Sequence, residues 1–239
     1  KQKTAYEIKE CDWSSDVCSS DLWKDLMISH AAPEGQLQAV IAHLRAGGTI
    51  RLHTASDLDV SGSVEAQSAQ FTTAIPGRAI KLAIAKLQSI LGGPLTVGMN
   101  GFNNLNINDT LHSKGRTVEV AQGIVDTQTA RISLGSVKAL GLALGSGDDA
   151  VRVHDASGLS SLEVAGQDGA DQYFIDNAAL AIKAMKFLGH LGQEALNVDL
   201  RNTGVWVTAG KIDTAFGSIQ HRSEEHTSEL QSHSFISYA

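Results

Sequence analysis

Two glycine-aspartate turns hold the residues whose types and spacing could bind a metal ion. The segments LGSGDDAVR and GQDGADQYF each place a glycine two residues before an aspartate, and the two aspartates are about 22 residues apart. At this spacing glycine permits a tight turn, and the aspartate offers an oxygen ligand to a hard cation such as calcium. The sequence therefore predicts calcium ligands on neighbouring repeats at Gly147, Asp149, Gly169 and Asp171.

Each turn also departs from the repeated calcium pattern, which leaves a second interpretation open. Leu144 stands where the first glycine belongs in one copy, and Gln167 stands at the second glycine of the other. Calcium-binding rolls repeat this nonapeptide in tandem, whereas here a longer strand follows each copy. In the alternative interpretation the aspartates cap backbone amides in ordinary turns and bind no ion.

Carboxylates near these turns could also serve a carbohydrate-active enzyme. Asp148, Asp149, Asp168 and Asp171 would need to cluster on one face, with Arg152 near them. The sequence contains no HExxH, GxSxG or phosphate-binding loop, and its histidines are scattered. We therefore predict that the chain is not an enzyme, and we keep a lyase or hydrolase as the alternative.

The elements that must position these residues follow a repeat of short apolar clusters. Val, Ile and Leu alternate with polar residues in clusters that recur in two interleaved sets, each with a step of about 20 to 23 residues. The first set is centred on Leu52, Ile75, Val97, Val120, Leu142, Val164, Phe187 and Val207, and the second on Val60, Ile84, Ile107, Ile132, Val153, Ile175 and Val198. This rhythm predicts an all-β chain, a parallel β-helix (β-solenoid) with about 22 residues and two main strands per coil.

Three parts of this prediction have alternatives. An antiparallel sandwich would also give short strands separated by turns, although it has no reason to hold a constant period. Residues 77–92 and 177–195 are rich in Ala, Lys and Leu, so each is either a strand or a short inserted helix. Asn100, Asn103, Asn104 and the segment NINDT would form either an asparagine ladder or plain turns.

The two ends of the chain differ from its centre. Residues 1–22 and 222–239 lack the apolar rhythm, and the codons permitted for 222–231, reverse-complemented and read in a shifted frame, encode 12–21. Both ends resemble translated sequencing-adapter DNA, and the alternative is a disordered polar tail at each end. We therefore expect non-native ends that contact the rest little, and a repeat segment at 23–221 from within a longer reading frame.

Charge and composition narrow the classes of partner. The full chain carries a net charge of -7, which falls to about -3 when the two ends are set aside. Since nucleic-acid binding needs a basic stripe, no such partner is predicted. Both cysteines lie in the N-terminal end, so 23–221 carries no disulfide framework or thiol nucleophile. No apolar run is long enough to span a membrane.

Longer stretches of the sequence resemble repeats of bacterial exoproteins. AGGTIRLHTASDLDVSGSVEAQSA resembles the repeats of filamentous-haemagglutinin-type exoproteins, and LGGPLTVGMNGFNNLNINDT, LGSGDDAVRV and EALNVDL resemble those of very large bacterial surface proteins with degenerate calcium motifs. The resemblance implies a parallel β-helix, export to the cell surface or medium, and a structural or adhesive role. Its implied partners are neighbouring repeats of the same chain and a host or matrix surface ligand. No catalytic residues come with it.

Overall fold

The chain divides into two compact units. The computed structural model describes residues 7–8, 25–30, 38–156, 158–189, 194–199, 205–208, 211–214, 218–222 and 229–231. The first unit comprises Lys1–Asn108 and Asp126–Val137, and the second comprises Asp109–Val125 and Lys138–Ala239. No helix in the described ranges is long and apolar enough to cross a membrane.

Short strands make up nearly all of the regular structure. From the N-terminus they are β1 Glu7–Ile8, β2 Leu26–His30, β3 Gln38–Val40, β4 His43–Arg45, β5 Thr49–Thr54, β6 Asp57–Val60, β7 Ser63–Ala66, β8 Ser68–Thr73, β9 Ala79–Ala83, β10 Leu87–Ser89, β11 Leu95–Asn100 and β12 Asn104–Asn108. They continue as β13 Thr117–Ala121, β14 Ile124–Asp126, β15 Ala130–Ser133, β16 Ala139–Ala143, β17 Ala150–Asp155, β18 Ser161–Ala165, β19 Gln172–Ile175, β20 Ala184–Leu188, β21 Ala195–Val198, β22 Val205–Thr208, β23 Lys211–Thr214, β24 Ser218–Arg222 and β25 Glu229–Gln231. The described residues also include two 3-10 helices, Ile84–Lys86 and Asn177–Ala181.

Strands of the first unit recur in sets of three. β5, β6 and β7 follow one another along the chain, and β8, β9 and β10 then pair with them one for one, all in parallel. β11 and β12 extend two of these sheets by pairing with β8 and β9. Parallel pairing between successive sets means that each strand finds its hydrogen-bond partner one repeat earlier in the chain.

The alternation of apolar and polar residues along each strand explains why these sets of strands stack. Within each strand apolar side chains point inward and polar ones outward, so in-register pairing aligns the inward residues in columns. Three of these buried columns are Ile28, Leu52, Phe71 and Met99; Val60, Leu82 and Ile107; and Leu44, Val64 and Leu87. Removal of such apolar surface from water is the main source of stability for the unit.

The second unit repeats two strands at a time. β17, β19 and β21 continue from β13 in one parallel sheet, while β16, β18 and β20 run parallel in another. Its buried columns include Val118, Val151, Tyr173 and Leu196; Val120, Val153, Ile175 and Val198; and Leu142, Val164 and Phe187. β24 joins β20 in parallel, but β22 and β23 pair in antiparallel fashion, which the repeat did not predict.

The described residues confirm the all-β class and the parallel strands, and they exclude the antiparallel sandwich. Residues 77–92 contain strand β9, the short 3-10 helix Ile84–Lys86 and strand β10, so both alternatives, a strand and a short helix, occur there. Within 177–195, Asn177–Ala181 is the second 3-10 helix and β20 follows it, while 190–193 lie outside the described residues. The prediction at Ile75 was wrong: this side chain is 38% exposed in a turn, and Phe71 holds the buried position.

The two ends are described only in part. β1 pairs with β2, and β25 pairs with β21, so each end contributes one short parallel strand. Trp13 and Phe235, whose burial would count against a separate origin of the ends, lie outside the described residues. The non-native origin of 1–22 and 222–239 stays a prediction.

Candidate functional site

The candidate site is a column of charged residues inside the second unit. Each member stands directly before a strand of one parallel sheet, where the chain leaves a turn and enters the apolar core. The four side chains are 0 to 8% exposed, and they are Arg116 before β13, Asp149 before β17, Asp171 before β19 and Glu194 before β21. We call this set the charged column.

The two aspartates of the charged column bind backbone amides. Asp149 Oδ1 accepts a hydrogen bond from the backbone N–H of Arg116 at 2.7 Å, and Asp171 Oδ1 accepts one from the backbone N–H of Asp149 at 2.9 Å. Each carboxylate therefore reaches one repeat back, to the residue that precedes the paired strand. Buried amides need such acceptors because water is excluded there.

Glycines make room for the acids of this column. A Cβ atom at Gly166 would overlap the Asp171 carboxylate and lie 2.7 Å from the Tyr173 hydroxyl oxygen. A Cβ atom at Gly189 would likewise overlap the carboxylate of Glu194. The first glycine of the motif thus has a packing role. Leu144 takes this position in the Asp149 turn and is buried.

The two predicted site glycines, Gly147 and Gly169, bring successive turns into backbone contact. Gly169 has a φ of +139°, and a Cβ atom there would lie 2.8 Å from the carbonyl carbon of Gly147. A Cβ atom at Gly147 would in turn lie 2.8 Å from the carbonyl oxygen of Lys114. Only glycine allows this close approach, and the positive φ at Gly169 favours it further.

Burial dominates the electrostatics of the acids. It raises the pKa of Asp149 and raises the pKa of Asp171 to about 6, while the backbone hydrogen bond to each carboxylate acts in the opposite direction. The negative charges of Asp149, Glu194 and Asp148 raise the pKa of Asp171 further. Burial also raises the pKa of the Tyr173 hydroxyl. A buried carboxyl beside like charges favours its neutral form.

One positively charged side chain, that of Arg116, lies at one end of the charged column. The guanidinium of Arg116 forms an ion pair with Asp109, and both side chains are almost fully buried. Arg116 and Asp109 also act on the Asp149 carboxyl through their charges, in opposite directions. Sequence reasoning missed Arg116, Asp109 and Glu194. The available signal was position: both Arg116 and Glu194 directly precede apolar strands, and Glu194 also follows Asp171 at about the spacing of the two aspartates.

The donor set does not fit calcium well. Calcium takes six to eight oxygen ligands, but Oδ1 of both aspartates already accepts an N–H bond. Oδ2 of Asp149 and Oδ2 of Asp171 are buried and have no hydrogen-bond partner among the described residues. In the same part of the chain, no group of three or more His, Cys, Asp or Glu is arranged around a metal position.

The carboxylates considered for catalysis do not share one face. Asp149 and Asp171 point into the core, whereas Asp148 and Asp168 are exposed. Asp148 Oδ1 accepts the backbone N–H of Ala170 at 2.8 Å and so caps a turn. Arg152 points outward, with its guanidinium carbon 5.1 Å from the centroid of the Phe174 ring.

The asparagine ladder is not formed on the described side of β12. Asn104 and Asn106 lie beside Ala79 and Lys81 of β9. Asn103 is a turn residue whose Oδ1 accepts the backbone N–H of Gly77. The alternative interpretation as a turn therefore applies to Asn103, whereas Asn104 and Asn106 belong to strand β12.

Comparison with protein-family models, with curated proteins and with solved structures found no match for this chain. The proposals below therefore depend on the geometry of the chain itself and on the sequence resemblance.

Proposed function

We propose that this chain is a non-enzymatic segment of a long exported β-solenoid, which acts as a structural or adhesive stalk at a bacterial surface. The observation that carries the proposal is the one-for-one pairing of β5, β6 and β7 with β8, β9 and β10. Strands that recur in the same order and pair one repeat later are what successive coils of a solenoid would produce. We interpret each set as one coil of about 22 residues.

Exterior charges favour the stalk over the enzyme. Among the described residues, several of them form pairs between neighbouring strands. Such pairs include Arg45–Glu65 at 3.1 Å, Lys81–Asp59 at 3.8 Å and Lys186–Glu163 at 3.4 Å. A polysaccharide lyase or hydrolase needs several carboxylates and a base on one accessible face. Paired surface charges instead support strand register and solubility, which a stalk requires.

The proposed adhesive role implies particular partners. Neighbouring repeats of the same protein would continue the parallel sheets, because a strand at the end of a stack offers unpaired backbone groups. A host or matrix surface would be the external ligand. Calcium is the ion that the sequence predicts for the Gly-Asp turns, and a comparison of melting temperatures with calcium chloride and with EDTA tests it.

The genomic reading frame around codons 23–221 tests this function. We expect it to continue on both sides into further repeats of about 22 residues, with an export signal or surface anchor, and to lack codons 1–22 and 222–239. The complementary assay incubates the full chain with neutral and uronate-containing polysaccharides. We expect no release of reducing ends or unsaturated products.

Either of two results would contradict the proposed stalk function. One is turnover of a polysaccharide that disappears in Asp148→Ala or Asp168→Ala, because both side chains are exposed and lie outside the core. The other is a genomic frame that joins 23–221 to a catalytic domain without further repeats.

A further inference from the structure

The charged column continues the hydrogen-bond ladder of the sheet beyond the strands. Backbone bonds already join the strand starts, because Ala150, Gln172 and Ala195 each donate at 2.8 Å to the carbonyl of the column residue one repeat earlier. The N–H groups of Arg116 and Asp149 lie one step outside these pairs. Side-chain carboxylates of Asp149 and Asp171 accept them. Each aspartate therefore binds the preceding repeat through both its side chain and the backbone beside it.

A bridging cation would have to compete with these bonds. The two N–H groups already donate to Oδ1 of Asp149 and of Asp171, and donors repel a cation. Arg116 already places a positive charge at one end of the column, against Asp109. The backbones of the two turns also lie in contact at Gly169 and Gly147. A Cβ atom at Gly169 would lie 3.2 Å from the amide nitrogen of Asp148.

We propose that Asp149 and Asp171 form a metal-free clamp, in which a backbone N–H of the preceding repeat takes the place of a bridging cation and each carboxylate holds the start of its strand to that repeat. The clamp explains why an acid is buried at each of these positions. It also explains the glycine at 166, which leaves space for the Asp171 carboxylate. The Gly-Asp pattern then reflects the packing of successive turns and does not indicate ion binding. This inference does not depend on the proposed function.

Thermal unfolding of the full chain tests the clamp by two independent measurements. The first compares the melting temperature with millimolar calcium chloride and with EDTA. We expect no difference, because the clamp needs no ion. A rise in melting temperature with calcium that Asp171→Asn abolishes would overturn the proposal.

The second measurement compares three variants in EDTA at pH 5, where the Asp171 carboxyl is largely protonated. Asp171→Ala leaves the buried N–H of Asp149 without its acceptor, so we expect the melting temperature to fall by about 5 to 10 °C. Asp171→Asn retains the Oδ1 acceptor and should lose less than half of that amount. Asp168→Ala, in the same turn but exposed, should change it by no more than about 2 °C. Equal losses in Asp171→Ala and Asp168→Ala would contradict the clamp, even if calcium has no effect.

Discussion

Phe187→Ala should lower the free energy of unfolding by about 3 to 5 kcal/mol, the largest loss that we expect from any single substitution. Phe187 is fully buried in β20, beside Val164 of β18 in the column that also holds Leu142. Its ring centroid lies 5.0 Å from that of Tyr173, so the substitution removes an aromatic contact as well as apolar surface. Urea denaturation followed by the circular dichroism of the β-sheet measures the loss.

Lys186→Ala is the matched control for this substitution. Lys186 is the adjacent residue of the same strand, it points outward, and its ammonium group lies 3.4 Å from Glu163. Exposed ion pairs of this kind contribute about 0.2 to 1 kcal/mol, so the control should unfold at nearly the wild-type urea concentration. If the two variants lost similar stability, the inward and outward alternation of β20 would be incorrect.

Stability of the chain should include a component that falls as the pH rises from about 4 to about 6. Burial raises the pKa of Asp171 in the folded state from 3.8 to about 6, so the folded state holds this proton more tightly than the unfolded state does. The stabilisation is complete below the unfolded pKa and is lost as the pH rises through the folded pKa. A pKa shift of this size corresponds to a change in the free energy of unfolding on the order of 2 to 3 kcal/mol. Asp149 contributes in the same direction.

Asp171→Asn isolates this component. An asparagine cannot ionise, so the variant should lack the fall between pH 4 and pH 6 and should gain stability relative to wild type at pH 8. Urea denaturation at a series of pH values measures both quantities. Asp168→Asn is the control, because its exposed carboxyl lies in the same turn. A difference between wild type and Asp171→Asn that stays constant across this pH range would contradict the assignment.

The alternation of apolar residues was enough to predict the class of the fold. Val153, Ile175 and Val198 were expected one repeat apart, and they stack in one buried column. The same column also contains Val120, which had been assigned to the other set, because the number of strands per repeat differs between the two units. Periodicity gives the step between strands, but it does not tell which strand pairs with which.

The sequence prediction missed the short strands of the third sheet and misplaced Ile75, in each case for a physical reason. The third sheet of the first unit contributes one or two buried residues per repeat from strands of three or four residues, such as Val64 and Leu87, and such short strands leave no detectable alternation in the sequence. Ile75 follows an alternating segment, but the chain turns there and leaves the side chain exposed. Turn position depends on tertiary packing as well as on local residue types.

The residues of the candidate site were predicted from the sequence, and their calcium-binding role stays a prediction. Gly147, Asp149, Gly169 and Asp171 do lie on neighbouring repeats of one sheet, as the spacing indicated. Whether an aspartate in a turn binds an ion or an amide depends on the direction of its side chain, which spacing cannot show. Burial of Asp149 and Asp171 inside the sheet makes the amide the available partner.

Disulfide cross-linking of β18 to β20 tests the central claim most directly, because that claim is in-register parallel pairing one repeat apart. Glu163 and Lys186 are paired and point outward, and paired strands lie about 4.8 Å apart, within the Cα separation of a disulfide. In a background with Cys11→Ser and Cys18→Ser, Glu163→Cys with Lys186→Cys should cross-link almost completely under mild oxidation. Glu163→Cys with Ala184→Cys, two residues out of register, should not. Preferential cross-linking of the second pair, or of neither, would contradict the repeating parallel architecture.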